Sequence, residues 1–197
     1  NINPLGPPAW LRAEISRGIE YLPDYPDPDC LAFRQALAAA WDVPAATITV
    51  GNGASQLLQF LPRVLPSARA VVCVPAYIDY ARAAEAAGLP VTPLPLTAED
   101  EFRLDVHTLA DTVQPQDLVF LGHPNNPTGR LVDHDSLQQL VAAREDVTFV
   151  VDEAFIDFVP EAPSFLPDTH RPNLVVCRSF TKFYAIPGLR LGCTVAA

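Results

Sequence analysis

Lys182 is the residue whose type most clearly suggests chemistry, because it is the only lysine in the chain. The other residues in the combined lysine and arginine count of 13 are all arginines. A primary amine can lose its proton and condense with an aldehyde, whereas a guanidinium cannot. The alternative is a surface lysine without a role, since most lysines are exposed. Lys182 is therefore a candidate for a Schiff base, and the residues around it must decide between the two interpretations.

A glycine-rich segment follows the first predicted strand and begins a predicted helix. Its sequence is Gly51-Asn52-Gly53-Ala54-Ser55. The first amides of a helix have no partner within the helix, and small side chains let an anion approach them closely. Glycine-rich turns of this length are common, so this segment indicates an anion site only in combination with other residues.

Three more polar positions follow predicted strands. Asp152 is the first of two consecutive carboxylates after the fifth strand, a pattern that is also typical of a helix cap. Asn126 lies in the segment His123–Gly129 after the fourth strand, where the Asn-Pro step favours a tight turn and leaves an amide side chain as a donor. Arg190 follows Lys182 by eight residues, after the sixth strand.

Pyridoxal 5'-phosphate needs this set of groups together. An amine holds its aldehyde, and backbone amides with an arginine and hydroxyls hold its phosphate. A carboxylate keeps its ring nitrogen protonated, and an amide donor binds its ring oxygen. The protonated ring is the electron sink for a carbanion at the substrate α-carbon. The four loops therefore predict a pyridoxal phosphate site.

The four loops follow strands of a predicted α/β fold. Short apolar segments rich in β-branched residues predict strands at 47–50, 70–74, 91–94, 117–121, 147–151, 174–177 and 191–195. Amphipathic spacing predicts helices at 31–41, 55–65, 77–87, 106–112 and 136–144. Strands that alternate with helices indicate a largely parallel sheet, which binds ligands at the carboxyl ends of its strands. Residues 1–20 are predicted to form an N-terminal arm, and residues 21–197 the cofactor-binding domain.

Composition excludes several classes of protein. A formal charge of −10 opposes binding to nucleic acid, and 49% hydrophobic against 18% charged residues exclude a disordered chain. The four cysteines have no CxxC pairing, which favours reduced, buried thiols over disulfides or a metal site. No apolar stretch approaches the ~20 residues of a membrane span, and no signal peptide is visible. We expect a cytoplasmic protein without a nucleic-acid, membrane or metal partner.

Three motifs carry a resemblance to a known family. Asn126–Gly129, Asp152–Phe158 and Ser179–Lys182 have the order and spacing found in the fold-type I, class I/II aminotransferases. The chain resembles the histidinol-phosphate aminotransferase branch of that family over its whole length. Residues 1–6 and 182–190 are most similar to the threonine-phosphate decarboxylases of that branch. The resemblance implies the α/β large domain that binds pyridoxal phosphate, with a mostly parallel sheet in a three-layer α/β/α arrangement. It also implies that the C-terminal small domain, which supplies substrate-binding arginines, is missing.

The resemblance implies a role for each residue of the site. Lys182 would hold the cofactor as a Schiff base and then transfer protons, Asp152 would pair with the ring nitrogen, and Asn126 would bind the ring oxygen near the substrate carboxylate. The residues implied in phosphate binding are Gly53, Ala54, Ser55, Ser179, Thr181 and Arg190. Tyr77 would stack on the ring and Ala154 would touch its other face, although a tyrosine at a helix start is also typical of an ordinary core.

Residues near the start of the chain imply a substrate and a partner. Asn1 matches a substrate contact of the decarboxylases. Tyr25 matches a tyrosine that reaches the cofactor phosphate of the neighbouring subunit. The resemblance therefore implies a homodimer with shared active sites that binds a small phosphorylated amino acid.

Three functions follow, in order of preference. The first is decarboxylation of L-threonine O-3-phosphate to (R)-1-amino-2-propanol O-2-phosphate in cobalamin biosynthesis. The second is transamination of histidinol phosphate or a related amino acid. The third, from another class, is a non-catalytic binding or dimerisation domain on the same fold. Phe155 stands where many aminotransferases carry a tyrosine that binds the ring oxygen, and phenylalanine fits the decarboxylase pattern. For His123 we favour a structural role, because Lys182 already supplies a base.

Overall fold

A single sheet forms the centre of the computed structural model, which describes residues 1–197. Its strands are β1 Ile48–Asn52, β2 Arg69–Val74, β3 Val91–Pro95, β4 Asp117–Gly122, β5 Thr148–Asp152, β6 Leu174–Ser179 and β7 Leu191–Val195. They lie in the order β1-β7-β6-β5-β4-β2-β3. Only β7 is antiparallel to its neighbours, β1 and β6. The predicted strands are confirmed, with ends that differ by at most two residues.

Helices precede the first strand and connect most of the others. They are α1 Ala9–Gly18, α2 Leu31–Trp41, α3 Ala54–Val64, α4 Asp79–Ala86, α5 Val106–Thr112, α6 His134–Ala143 and α7 Phe180–Phe183. The five predicted helices, α2 to α6, are confirmed to within two residues at each end. The sequence patterns do not predict α1 and α7. Helix α7 has only four residues, and α1 buries none of its side chains, so neither shows an apolar stripe of useful length.

Helices cover both faces of the sheet, which gives the predicted three layers. On one face, Leu109 of α5 and Phe149 of β5 belong to the larger apolar core. On the other face, Leu58 of α3 and Phe120 of β4 belong to the smaller one. Every residue of β4 and β6 is buried. This is expected, because successive side chains of a strand point to opposite faces of the sheet and helices cover both faces.

The edge of the sheet where parallel strands end brings the predicted loops together. Gly122 at the end of β4 pairs with Asp152 at the end of β5, and β6 continues this register. Because β7 runs in the opposite direction, its first residue, Leu191, pairs with Asn52 at the end of β1. Arg190, which directly precedes β7, therefore lies at the same edge as the glycine-rich segment.

The cysteines are all free, with Cys73, Cys177 and Cys193 buried and Cys30 partly exposed. Burial raises the pKa of Cys73 and of Cys193 to about 12, so neither thiol is ionised near neutral pH. None of the helices combines the length and apolar character that crossing a bilayer requires. A cytoplasmic location stays a prediction.

Candidate active site

One cavity at the carboxyl edge of the sheet collects most of the predicted site residues. Its lining consists of Ala54, Ser55, Leu58, Tyr77, Tyr80, Pro124, Asn126, Asp152, Ala154, Phe155, Ser179, Thr181, Lys182 and Arg190. Three predicted residues lie outside this lining: Gly53, Asn1 and Tyr25. The cavity is thus lined from the loops after β1, β4, β5 and β6, as the motifs predict, and also from the residues after β2.

Lys182 lies in α7, immediately after β6, and is half-buried. Its Nζ donates a hydrogen bond of 3.0 Å to Oγ1 of Thr181, which lies 2.9 Å from Oγ of Ser179. Burial lowers the pKa of Lys182 and the charge of Arg190 lowers it further, against the opposing effect of Asp152. A larger fraction of this amine is therefore unprotonated near neutral pH than of an exposed lysine, which favours attack on an aldehyde.

Asp152 is a buried carboxylate at the end of β5. Burial raises the pKa of Asp152, while hydrogen bonds from Tyr80 and from the backbone of Ala154, and the charge of Lys182, oppose this rise. No arginine or lysine forms an ion pair with it. A buried carboxylate without a paired cation suits a ligand that brings a positively charged N–H group.

Tyr80 is a site residue that the sequence patterns did not identify. Its hydroxyl donates a hydrogen bond of 2.8 Å to Oδ2 of Asp152, and the backbone N–H of Ala154 donates one of 3.0 Å to Oδ1. The ring of Tyr80 is buried and stacked on Phe120, with 5.5 Å between the ring centroids. Tyr80 therefore orients the carboxylate of Asp152. Tyr77, which precedes α4, meets the ring of Tyr80 edge to face at 5.6 Å between centroids, a contact that their separation of three residues along the chain does not reveal.

The start of α3 and Arg190 lie together at the cavity. Gly53 precedes α3 with a φ of +78°, and the guanidinium of Arg190 lies so close to it that a Cβ would overlap Nη2. The N–H of Gly53 donates to the carbonyl of Gly51, so Gly53 contributes its conformation and leaves the next helical amides, those of Ala54 and Ser55, for an anion. The hydroxyls of Ser179 and Thr181 and the guanidinium of Arg190 line the same cavity and can also donate hydrogen bonds to an anion.

Replacement of Gly53 by alanine tests this arrangement. The Gly53→Ala variant should bind pyridoxal phosphate at least about tenfold more weakly, because the new Cβ meets Arg190 and the backbone there is strained for any residue but glycine. A fluorescence titration of cofactor affinity measures the effect. Gly188→Ala is the matched control, since a Cβ at Gly188 meets no atom within 4 Å. Equal affinities in the two variants would contradict the assignment.

Tyr77 lies at the cavity wall with its hydroxyl held by neighbours. The hydroxyl donates a hydrogen bond of 2.6 Å to Oδ2 of Asp79 and lies 3.4 Å from Oγ of Ser55. Its ring meets that of Tyr80 edge to face. Tyr77 is only half-buried and faces the cavity, so a flat ligand can stack on it in a way that an enclosed core tyrosine would not allow.

Asn126 and Asn1 meet beside the cavity. Nδ2 of Asn1 donates a hydrogen bond of 3.0 Å to Oδ1 of Asn126, which leaves Nδ2 of Asn126 as the free donor. Asn125, which was not predicted, holds the turn, because its side chain donates to the carbonyl of Pro75 and to the hydroxyl of Thr128. Asn1 lies in a second groove that shares Pro124, Asn126 and Phe155 with the cavity. None of the side chains that line this groove is charged.

His123 is buried away from the cavity lining. Its Nδ1 accepts a hydrogen bond from the backbone N–H of Val132, so Nε2 carries the proton and donates to the carbonyl of Pro163. Both ring nitrogens are thus used to connect loops, in keeping with the structural role we favoured. Tyr25, by contrast, is fully exposed, and its predicted contact with a neighbouring subunit stays a prediction.

These residues fit pyridoxal 5'-phosphate. An amine with a lowered pKa, a buried carboxylate without a paired cation, and a helix start closed by an arginine face one cavity on a three-layer α/β/α domain. The fold and the donor set define the class of pyridoxal-phosphate-binding large domains.

The chain belongs to the aminotransferase class I and II family. The model of that family matches residues 1–197. Pyridoxal 5'-phosphate is the cofactor of the family, whose members are enzymes. The chain is 38% identical over 201 residues to the adenosylcobalamin biosynthesis bifunctional protein CobDQ of Leptospira interrogans, with 100% of this chain and 23% of that protein covered. It is 37% identical over 195 residues to the threonine-phosphate decarboxylase of Salmonella typhimurium, with 98% of this chain and 54% of that protein covered.

Solved structures support the same assignment. The histidinol-phosphate aminotransferase from Clostridium acetobutylicum matches with a TM-score of 0.90 at 30% identity, over 100% of this chain and 59% of that one. The chain therefore spans little more than half the length of the decarboxylase and the aminotransferase that it matches.

Proposed function

We propose that this protein catalyses the decarboxylation of L-threonine O-3-phosphate to (R)-1-amino-2-propanol O-2-phosphate, with pyridoxal phosphate as its cofactor. One observation carries the proposal. Residues 1–6, which resemble the decarboxylases most closely, lie against the turn that bears Lys182 and against Asn126. The similarity to a threonine-phosphate decarboxylase and to a cobalamin biosynthesis protein supports it.

The residues of the cavity have different roles in this reaction. Bound pyridoxal phosphate supplies an aldehyde for an amine and a protonated ring that withdraws electrons from the substrate α-carbon. Asp152, oriented by Tyr80, holds the proton on the ring nitrogen. The phosphate is bound by Arg190, by the hydroxyls of Ser179 and Thr181, and by the first amides of α3. Lys182 donates the proton that replaces the carboxylate at the α-carbon after carbon dioxide leaves.

Orientation of the substrate decides the outcome, because the bond that breaks is the one held perpendicular to the ring plane. Asn1 and Asn126 line the groove beside the cavity and are hydrogen-bonded to each other. In this proposal they contribute amide donors to the substrate. The groove beside them has no charged side chain, so the cations that bind the substrate's phosphate and carboxylate belong to other residues of the enzyme.

An assay of the complete protein tests the proposal. We expect release of carbon dioxide from L-threonine O-3-phosphate. Histidinol-phosphate transamination is the second candidate, favoured by the structural similarity to a histidinol-phosphate aminotransferase. Amino transfer from histidinol phosphate without carbon dioxide release would replace the first proposal by the second. A protein that takes up no cofactor would favour the non-catalytic binding domain.

We also propose that two copies of the chain form a homodimer. Large apolar or aromatic side chains are exposed along the first part of the chain, at Leu5, Trp10, Ile15, Ile19, Tyr21, Leu22, Tyr25 and Leu31. Helix α1 buries none of its residues. An accumulation of exposed apolar side chains of this kind is typical of an interface. We place Tyr25 in that interface, with its hydroxyl on the partner's cofactor phosphate.

Replacement of Tyr25 by phenylalanine tests the shared site. Tyr25→Phe should weaken cofactor binding by roughly tenfold or more, because a hydrogen bond to a charged group contributes about 1.5 to 3 kcal/mol. Tyr21→Phe, in the same exposed segment, is the control and should bind normally. Sedimentation experiments report the oligomeric state in parallel. A monomer, or equal affinity in both variants, would contradict the shared site.

A further inference from the structure

We propose that Asn3 is a positioning residue that fixes the turn bearing Lys182 and joins it to the substrate side of the active site. The inference deepens the proposed function, on which it rests for the identity of the reacting amine. Asn3 does not line the main cavity.

Asn3 makes two hydrogen bonds to the end of α7. Its backbone N–H donates to the carbonyl of Lys182 at 3.1 Å, and its Nδ2 donates to the carbonyl of Phe183 at 2.9 Å. The last carbonyls of any helix receive no hydrogen bond from an N–H group of the same helix. For Phe183 the chain itself prevents such a bond, because the residue four positions later is Pro187, which has no N–H. The side chain of Asn3 replaces the missing donor.

The turn needs this support from outside. Helix α7 has four residues, too few to be stable alone. Ala185, which follows it, has a φ of +52°, a conformation that disfavours residues other than glycine. Further support comes from local bonds donated by the amides of Tyr184, Ala185 and Ile186. The rings of Phe180 and Phe183 also pack, on Phe33 and Trp41 and on Phe158 respectively.

The orientation of the Asn3 amide is fixed by its own segment. Its Oδ1 accepts a hydrogen bond of 3.0 Å from the backbone N–H of Leu5, so Nδ2 must face Phe183. The carbonyl of Asn3 accepts from Gly6, whose φ is +76°. An aspartate at this position would keep the bond to Leu5 and would place an oxygen against the carbonyl of Phe183.

The same segment forms one wall of the groove beside the cavity. Residues Asn1 to Pro4 line that groove, and Asn1 donates a hydrogen bond to Asn126, which lines it as well. A ligand in the groove therefore touches the segment that holds the Lys182 turn. Asn3 is the residue that joins this groove to the Lys182 turn.

Amide hydrogen exchange of the chain without cofactor tests the inference independently of catalysis. In Asn3→Asp and Asn3→Ala, the amides of Ala185 and Ile186 should exchange about tenfold faster, since one hydrogen bond contributes about 1 kcal/mol or more. Capture of pyridoxal phosphate by Lys182, followed by borohydride reduction, should slow by a similar factor. Leu5→Ala, whose side chain is exposed, is the matched control and should behave as the unmodified chain.

Two results would overturn the inference. The first is that, in both Asn3 variants, amide exchange at Ala185 and Ile186 and capture of the cofactor by Lys182 proceed at the rates of the control. The other is faster exchange that extends to Phe120 in the middle of the sheet, since this would show a loss of global stability rather than of local order. Failure of the unmodified chain to capture the cofactor would count against the proposed function, whereas the exchange result would still stand.

Discussion

Replacement of Lys182 by arginine should reduce turnover by the complete protein by roughly four orders of magnitude or more, since the base and the covalent anchor are lost together. Arginine keeps the positive charge beside Thr181, yet it cannot lose its proton to react with an aldehyde or to serve as a base. The readout is the initial rate of carbon dioxide release. Arg82→Lys, on the exposed side of α4, is the control and should leave the rate unchanged.

Lys182→Arg is informative because it removes the reactive amine and keeps the positive charge. The chain has no second lysine that could take over the role. Activity in Lys182→Arg comparable to that of the control would show that the proton is moved by another group. The assignment of Lys182 would then be wrong, whatever the fold of the domain.

Replacement of Asp152 by asparagine should lower kcat/KM by roughly a thousandfold. Asparagine is nearly the same size, but it carries no charge to keep a ring nitrogen protonated, and loss of a buried charge partner costs about 3 to 5 kcal/mol. Tyr80→Phe removes one of the hydrogen bonds to this carboxylate and should have a smaller effect of about tenfold. Steady-state kinetics of the two variants measure both effects.

Stability should change in the opposite direction at Asp152. Burial raises the pKa of Asp152 above its ordinary value, so its ionised form destabilises the folded protein. This group stabilises the fold fully only below its unfolded pKa, and the contribution is lost as the pH rises through the raised, folded value. Without cofactor at pH 7, Asp152→Asn should therefore be at least as stable as the unmodified chain in thermal unfolding. Lower stability together with lower activity would indicate a structural role instead.

The strands and long helices were predictable because burial controls them locally. Strand β4, for example, contains the uninterrupted apolar run 118–121, and all of its residues are buried. The four loops at the strand ends could be assigned because each combines a motif with a position after a strand. The antiparallel direction of β7 was not predictable from its own residues, yet it is what brings Arg190 to Gly53.

The contacts that orient the site depend on long-range packing and so escaped prediction. The bond between Tyr80 and Asp152 joins α4 to β5, and that between Asn3 and Phe183 joins residues 180 positions apart. No local pattern encodes either distance. Helix α1 was missed because it buries no residue and so shows no core-facing stripe. The role proposed for Tyr25 requires a second chain, so the contacts within one chain do not test it.

Borohydride reduction of the chain with pyridoxal 5'-phosphate, followed by peptide mass spectrometry, tests the central claim most directly. With a single lysine, only Lys182 and the α-amino group at the start of the chain can be labelled. Because burial and Arg190 lower the pKa of Lys182, labelling should already be efficient below the ordinary pKa of a lysine. We predict one label per chain at Lys182, weakened by Gly53→Ala. A label confined to the α-amino group, or labelling of Lys182 that Gly53→Ala leaves unchanged, would contradict the proposed cofactor site.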